Sequence, residues 1–406
     1  MNIALIGVGN VGAALLRQLH GRAARVAREA GEPVTVLRAA VRDPRKVRDC
    51  PDPIFGYTRD VGEVLTDARI DALVELAGGE DWLPVLSSFL RSRRPVVTAN
   101  KALLARHGPA LLALAEQHGA PLRFEAAVGG AVPIIRTLLD SRRVDHLTYV
   151  GGVLNGTANF LLDRIAGGTD YETALEEARQ AGFAEADPSD DVDGLDAARK
   201  LSVLAQLAFG AAVPPEAWPR AGIARLGPRM LRAALRPDER VKLVAEAWET
   251  TDGVTGYVGP AILPASAFLA RPSGAENAVV IDGTPGGPTA LMGLGAGGDA
   301  TASQVVADLV AVARARRAAD PVEHLMPVEP VEVLSPRVSA RLVGLNPRSL
   351  NALWGQLPPG TPHDPDARLV GPMDARSLLA LADRYGVHLL IERRGGALLQ
   401  APPAPL

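Results

Sequence analysis

The first nineteen residues constrain the fold more than any other stretch of this chain. Residues 3–6 are an apolar run of strand length, Gly7-Val-Gly9-Asn-Val-Gly12 follows, and residues 13–19 carry apolar side chains at helical spacing. That order gives the three glycines separate physical jobs: a tight turn, close backbone approach to a pyrophosphate, and packing of a helix on a strand. Gly7, Gly9 and Gly12 are therefore expected to bind a dinucleotide. Its diphosphate would rest on the amides at the helix N-terminus, around Asn10 and Val11.

The pattern continues. Residues 34–41 read as a strand ending in Arg42-Asp43, 73–77 as one bounded by Gly78-Gly79, and 95–98 as one opening into Asn100-Lys101 and a helix over 102–118. A further strand over 123–128 precedes Gly129-Gly130. Alternating strands and helices predict an α/β fold with a parallel sheet covered on both faces. The expected domains are a Rossmann-type dinucleotide-binding domain over 1–128, completed by a returning helix at about 299–318, and an α+β substrate and dimerisation domain over 129–298. In the latter, 158–208 is helical with breaks at 167–168 and 182–194, and strands fall near 147–154, 240–249, 256–263 and 278–282. Residues 328–406 form a small C-terminal α/β appendage with a proline-rich loop at 357–366 and a frayed end at 402–406.

Composition removes whole classes of function. The 43 basic and 46 acidic residues leave a net charge of −3, without the electrostatic footprint of a nucleic-acid binder. One cysteine, Cys50, allows no internal disulfide and fits a reducing, cytoplasmic setting. The apolar start runs straight into the glycine turn, so neither a signal peptide nor a membrane span is expected. The seven histidines include no HExxH and no pair at metal-ligand spacing, and no serine sits in a GxSxG elbow.

Two features bear on chemistry. An acid at the end of the second strand would bond a ribose 2'-hydroxyl and an arginine would accept a 2'-phosphate. Arg42, with Arg45, Lys46 and Arg59 near it in sequence, tilts the expectation to NADP over NAD. The second feature is a concentration of six carboxylates in residues 185–196, running into Arg199-Lys200. A calcium loop begun at Ser189 would need a glutamate where Lys200 stands, so that reading fails. A cationic substrate group held beside a functional lysine remains. Asp196 and Lys200 are four apart, on one helix face. For Lys200 to act as a base near pH 7, its pKa must fall from about 10.4 to about 7, about 4.6 kcal/mol of differential stabilisation. Burial near a second cation such as Lys101 would supply it, and a protonated lysine can act as an acid with no such change.

Taken in order, these segments resemble one family, homoserine dehydrogenase. The resemblance is carried by the turn at 7–12, Val74-Glu-Leu-Ala-Gly78-Gly79, Val97-Thr-Ala-Asn-Lys101, Glu125-Ala-Ala-Val-Gly-Gly-Ala-Val-Pro133, Gly152-Val-Leu-Asn-Gly-Thr-Ala-Asn159, the stretch 182–200 and the glycines from 293 to 298. It covers residues 1 to about 318. It implies reversible reduction of L-aspartate 4-semialdehyde to L-homoserine with NAD(P)H, in the branch leading to threonine and methionine. By position, Lys200 is the implied proton donor, with Lys101 opposite it and Asp196 in support. Glu185 and Asp191 would serve the substrate, with Asn155, Gly156 and Thr157 as a substrate loop. Thr98, Lys101, Gly295 and Gly297 would line the nucleotide site. Glu125 and the carbonyls of Val128, Gly130 and Val132 fall where the family binds a monovalent cation such as Na+. A homodimer is implied, and no kinase segment is expected before Met1.

Residues 328–406 have about the length of the ACT domain that ends many bacterial members, so a divergent ACT-like module is the reading there. The proline-rich loop departs from its pattern, and threonine sensing does not follow. Two other functions fit the residues: a Rossmann oxidoreductase on a different amino-acid semialdehyde, and a cofactor-binding regulator without catalysis. The paired lysines argue against the regulator.

Overall fold

The computed structural model describes residues 1–318, 328–343, 352–354, 356–359, 361–364, 369–385 and 388–392. The end at 402–406 and parts of the 357–366 loop lie outside these. The chain divides into two compact units, Met1–Thr137 with Ala296–Glu329, and Leu138–Gly295 with Pro330–Leu406.

The first unit holds β1 (Asn2–Ile6), β2 (Thr35–Ala40), β3 (Tyr57–Thr58), β4 (Ala72–Glu75), β5 (Val96–Thr98) and β6 (Leu122–Arg123). They form one sheet in the order β3-β2-β1-β4-β5-β6, and every pairing is parallel. Parallel neighbours need crossovers, and helices on both faces explain why Ile3, Leu5, Leu73, Val74, Val96 and Val97 are all fully buried. β1 lies at the centre, and the chain leaves it in one direction to reach β2 and in the other to reach β4. This is the switch point at whose carboxyl edge an open α/β sheet offers a crevice.

The helix Gly298–Ala318 completes this unit. Ala302, Val305, Leu309 and Val312 pack into the same core as Leu15, Leu16 and Leu19 of the helix Asn10–Gly21. A Cβ at Gly298 would stand 2.9 Å from the carbonyl of Asn10, so glycine lets the two helices meet.

The predicted strand over 123–128 is cut short. Only Leu122–Arg123 pairs, and Glu125–Ala127 is a 3-10 turn. The cause is Glu125, which is 1% exposed and accepts from the amides of Ile135 (2.7 Å) and Arg136 (3.0 Å) at the start of the helix Ile134–Arg142. A carboxylate serving unspent helix amides cannot remain in a strand. The same bonds tie residues 134–137 to the first unit, so the boundary falls at Thr137 and not at the expected 128.

The second unit is built on a ten-strand sheet. Glu239–Thr250 and Gly253–Pro264 form a long antiparallel pair at its middle, flanked on one side by His146–Val153, Glu276–Thr284 and Thr289–Leu294. Glycine-led helices cover it. Leu195–Phe209 starts after Gly194 (φ +76°), ends at Gly210 (φ +66°) and buries Ala197, Leu201, Leu204 and Leu207. The break predicted over 182–194 contains a short helical turn, Ser189–Val192.

The small α/β segment expected at the C-terminus adds its strands to this sheet. His388–Glu392 pairs in parallel with Gly253–Pro264, setting Ala261 against Ile391, and Arg337–Val343 and Leu369–Asp374 follow outward. Val338, Leu342, Leu378 and Ile391 share one apolar cluster with Tyr149, Val244 and Trp248. An exposed edge on a twelve-residue strand is a liability that this addition covers. Among the described residues, no helix is long and apolar enough to cross a membrane.

Asp308, on the return helix, is 2% exposed and accepts from the Glu125 amide at 2.9 Å. Burial, with Glu125 adding to it, pushes its pKa up to about 7. In the unfolded chain Asp308 ionises near pH 4, whereas in the fold it holds its proton to about 7. Stability is therefore lost as pH rises across that window, on the order of 4 kcal/mol by pH 8. Asp308→Asn keeps an acceptor and removes the titration. Urea midpoints at pH 5 and pH 8 should fall with rising pH in the wild type and differ far less in the variant.

Candidate active site

The glycine turn does its work through distances. Gly7 adopts φ +90°, and a Cβ there would stand 2.7 Å from the Ala77 amide nitrogen. A Cβ on Gly12 would meet the Gly7 carbonyl oxygen at 2.3 Å, so the helix opened by Asn10 and Val11 packs directly on the turn. Gly9 faces open space, with nothing within 4 Å of its Cβ position. The three glycines thus divide into two that permit packing and one that leaves room.

That room belongs to a cavity of about 1080 Å³ at the carboxyl edge of β1, β2 and β4. Gly7, Val8 and Gly9 form its floor, and Leu76, Ala77 and Gly78 one wall. Arg42, Lys46, Arg48 and Arg59 also line it. Asp43 shares this end, but its carboxylate accepts from the Arg45 amide at 3.0 Å and lies 3.9 Å from the Arg59 guanidinium. The donor set and the space fit a dinucleotide diphosphate, with several cations at the ribose end.

Thr98 is placed differently from the expectation. It is fully buried behind the wall, donating its hydroxyl to Glu75 at 2.7 Å and accepting from the Asn100 amide at 3.0 Å. Asn100 caps the helix Lys101–His118 by accepting from Leu103, and its amide group reaches the Gly79 carbonyl at 2.6 Å. Lys101 is the first residue of that helix. Gly297, at φ +119°, immediately precedes the return helix.

In the second unit, Lys200 and Asp196 lie 2.7 Å apart with side chains only 11% and 6% exposed. The Lys200 ammonium also donates to the Leu154 carbonyl at 2.6 Å. Asn155 is the pivot of this cluster. Its Oδ1 caps the helix Gly156–Ala166 by accepting from Ala158, and its Nδ2 donates to Asp191 at 2.6 Å and to Asp196 at 2.8 Å. Asn155 is thereby joined by charge-assisted bonds to Asp191 and Asp196, which lie 36 and 41 residues further along the chain, and through Asp196 to Lys200. Gly156 is glycine because a Cβ would approach the Ala275 carbonyl at 2.8 Å, and Thr157 donates to the Phe183 carbonyl.

The six carboxylates of 185–196 are sorted by the fold. Asp187 accepts from the Ser189 amide, which holds its carboxyl below the usual range, and Asp190 pairs with Arg199. Asp191 and Asp196 converge on Asn155, while Glu185 sits on an exposed loop. The sequence missed Asn277, which is fully buried and donates to the same Leu154 carbonyl as Lys200, at 3.1 Å. It explains Gly295 by packing: a Cβ there would lie 2.1 Å from the Asn277 Oδ1. Asparagine in a strand gives no periodic signal, so only the fold could find it.

The residues expected as cation ligands, Glu125, Val128, Gly130 and Val132, are all buried in the stretch that leads into the helix Ile134–Arg142. Both Glu125 oxygens serve amides, one also lies 3.1 Å from the Arg136 guanidinium, and the Val132 carbonyl accepts from the Ile134 amide.

The glycines supply a test. Gly12→Ala should lower the melting temperature by several degrees, since a clash with backbone cannot relax cheaply. Gly9→Ala should leave the melting temperature nearly unchanged and weaken nicotinamide-dinucleotide binding in a fluorescence titration. Equal effects of the two changes would contradict this division.

Comparison with known proteins agrees with the geometry. Residues 7–125 match the family description "Homoserine dehydrogenase, NAD binding domain", and residues 133–310 match "Homoserine dehydrogenase". The homoserine dehydrogenase of Bacillus subtilis strain 168 is 37% identical over 319 residues, covering 78% of this chain and 74% of that one. A solved homoserine dehydrogenase from Thiobacillus denitrificans superposes with a TM-score of 0.82 at 30% identity, covering 97% of this chain and 98% of that one. A hyperthermophilic archaeal homoserine dehydrogenase solved in complex with NADPH gives 0.65 at 26% identity, over 77% and 97% of the two chains. With both family descriptions matched in order across most of its length, the chain belongs to the homoserine dehydrogenase family.

Proposed function

We propose that this chain catalyses the reversible NAD(P)-dependent interconversion of L-aspartate 4-semialdehyde and L-homoserine, with Lys200 as the proton-transferring group. The observation that carries the reading is the buried Lys200, held between the Asp196 carboxylate and the Leu154 carbonyl. A lysine so fixed on a rigid helix is a preorganised acid. A nicotinamide, when bound, would supply or accept the hydride at the carbonyl carbon. As charge develops on the substrate oxygen, the Lys200 ammonium stabilises it and delivers a proton to it, and in the reverse direction Lys200 Nζ receives the hydroxyl proton. Lys101 is assigned a second positive charge used in the reaction. Glu185 and Asp191 take the cationic amino group of the substrate, with Asn155, Gly156 and Thr157 forming its loop.

NADP is the preferred cofactor on this reading, because Arg42, Lys46, Arg48 and Arg59 line one cavity and Asp43 is engaged by neighbouring basic residues. We also read the chain as a cytoplasmic homodimer associating through its second unit. Met292 and Leu294 support that, being 46% and 56% exposed on the edge strand Thr289–Leu294. A monomeric mass in solution would overturn it.

Homoserine-dependent reduction of NADP and NAD, followed by absorbance, tests the activity directly. Lys200→Ala should reduce kcat by about a hundredfold or more. Near-wild-type turnover in that variant would remove Lys200 from its role. Arg42→Ala should raise the KM for NADP about tenfold and leave that for NAD unchanged.

A further inference from the structure

We propose that Glu75 is a positioning residue for Lys101, acting through the hydroxyl of Thr98. The inference rests on the reading that Lys101 contributes positive charge to the reaction. Glu75 ends β4, follows the apolar residues Ala72, Leu73 and Val74, and is fully buried. The donors that the structure gives it are all neutral. Oε1 accepts from the amides of Ala77 (2.8 Å) and Gly78 (2.9 Å), and Oε2 accepts from the Thr98 hydroxyl (2.7 Å). A charge kept out of water on neutral donors alone is costly. What the carboxylate adds is direction.

Its two oxygens do different work. The Oε1 arm shapes the wall Leu76–Gly78 of the dinucleotide cavity, against Gly7. The Oε2 arm fixes the sense of the Thr98 hydroxyl. Because that hydroxyl gives its proton to Glu75, its oxygen faces the Asn100 amide as an acceptor at 3.0 Å. Asn100 in turn bonds the Gly79 carbonyl and the Leu103 amide, and the next residue is Lys101. The path from carboxylate to lysine is thus three hydrogen-bonded groups long, and every member is at most 4% exposed up to Asn100.

Replacing the carboxylate by an amide separates the arms. In Glu75→Gln the carbonyl oxygen still takes the two amides, which forces the NH2 group toward Thr98. The Thr98 hydroxyl then loses its acceptor, and the glutamine NH2 competes with the Asn100 amide for its oxygen. The expected result is a fall in kcat for homoserine oxidation of about tenfold, with the KM for NADP essentially unchanged and the melting temperature lowered by a few degrees at most. Thr98→Val, which keeps the shape and removes the hydroxyl, should lower kcat similarly. The double variant should lose no more than either single one, since both cut the same link.

The proposal is overturned if Glu75→Gln keeps wild-type kcat, if it raises the NADP KM while kcat stays unchanged, or if the two losses multiply. Lys101→Ala, assayed in parallel, keeps the two readings apart. If it loses turnover while Glu75→Gln does not, Lys101 stands and the role of Glu75 falls. If Lys101→Ala itself retains full turnover, the proposal falls together with the role assigned to Lys101.

Discussion

A carboxyl group taken out of water must be answered by hydrogen-bond partners, and much of this structure is arranged around such answers. Glu75, Glu125, Asp196 and Asp308 are each at most 4% exposed. Glu75 takes two loop amides and a hydroxyl, Glu125 two amides at a helix start, Asp308 the amide of Glu125 itself, and Asp196 an asparagine amide and an ammonium. Glu75, Glu125 and Asp308 sit where a turn or a helix start leaves backbone donors over, whereas Asp196 is served by side chains. The local geometry follows: a shortened strand at 122–123, a fixed wall beside the glycine turn, and a helix entry at Asn155.

The same rule sorts the acidic side chains of the second unit. The acidic stretch before Lys200 looked uniform as a list of residue types. In the fold, Asp187 and Asp190 satisfy local partners near solvent, whereas Asp191 and Asp196 are gathered by Asn155. What distinguishes them is access to a side-chain amide brought from forty residues upstream. Lys200 is likewise held by a backbone carbonyl at Leu154, a group that every residue type possesses and no sequence pattern marks.

The dinucleotide unit was largely legible because its signals are local. A parallel strand covered on both faces is a continuous apolar run, and a glycine turn between strand and helix is read within twelve residues. The strand at 123–128 was misread because Val128 and the alanines look like strand residues, while the need of Glu125 to reach Ile135 and Arg136 is a contact across ten positions. The second unit was less legible for the same reason on a larger scale. Residues 328–406 read as an appendage, since nothing in their own composition says that Ile391 will lie beside Ala261.

By itself the sequence determined the α/β class, the first strand, the position of the dinucleotide turn, the family and the pairing of Asp196 with Lys200 four residues on. These depend on neighbours within a turn or two of chain, where backbone geometry alone decides who can meet. Only the tertiary structure decided that Thr98 faces a buried glutamate and not the cavity, that Asn155 is a pivot, that Gly295 yields space to Asn277, and that the C-terminal strands extend the central sheet. Those are contacts between segments far apart in sequence, set by which buried polar groups and unpaired strand edges must find partners once the chain is compact.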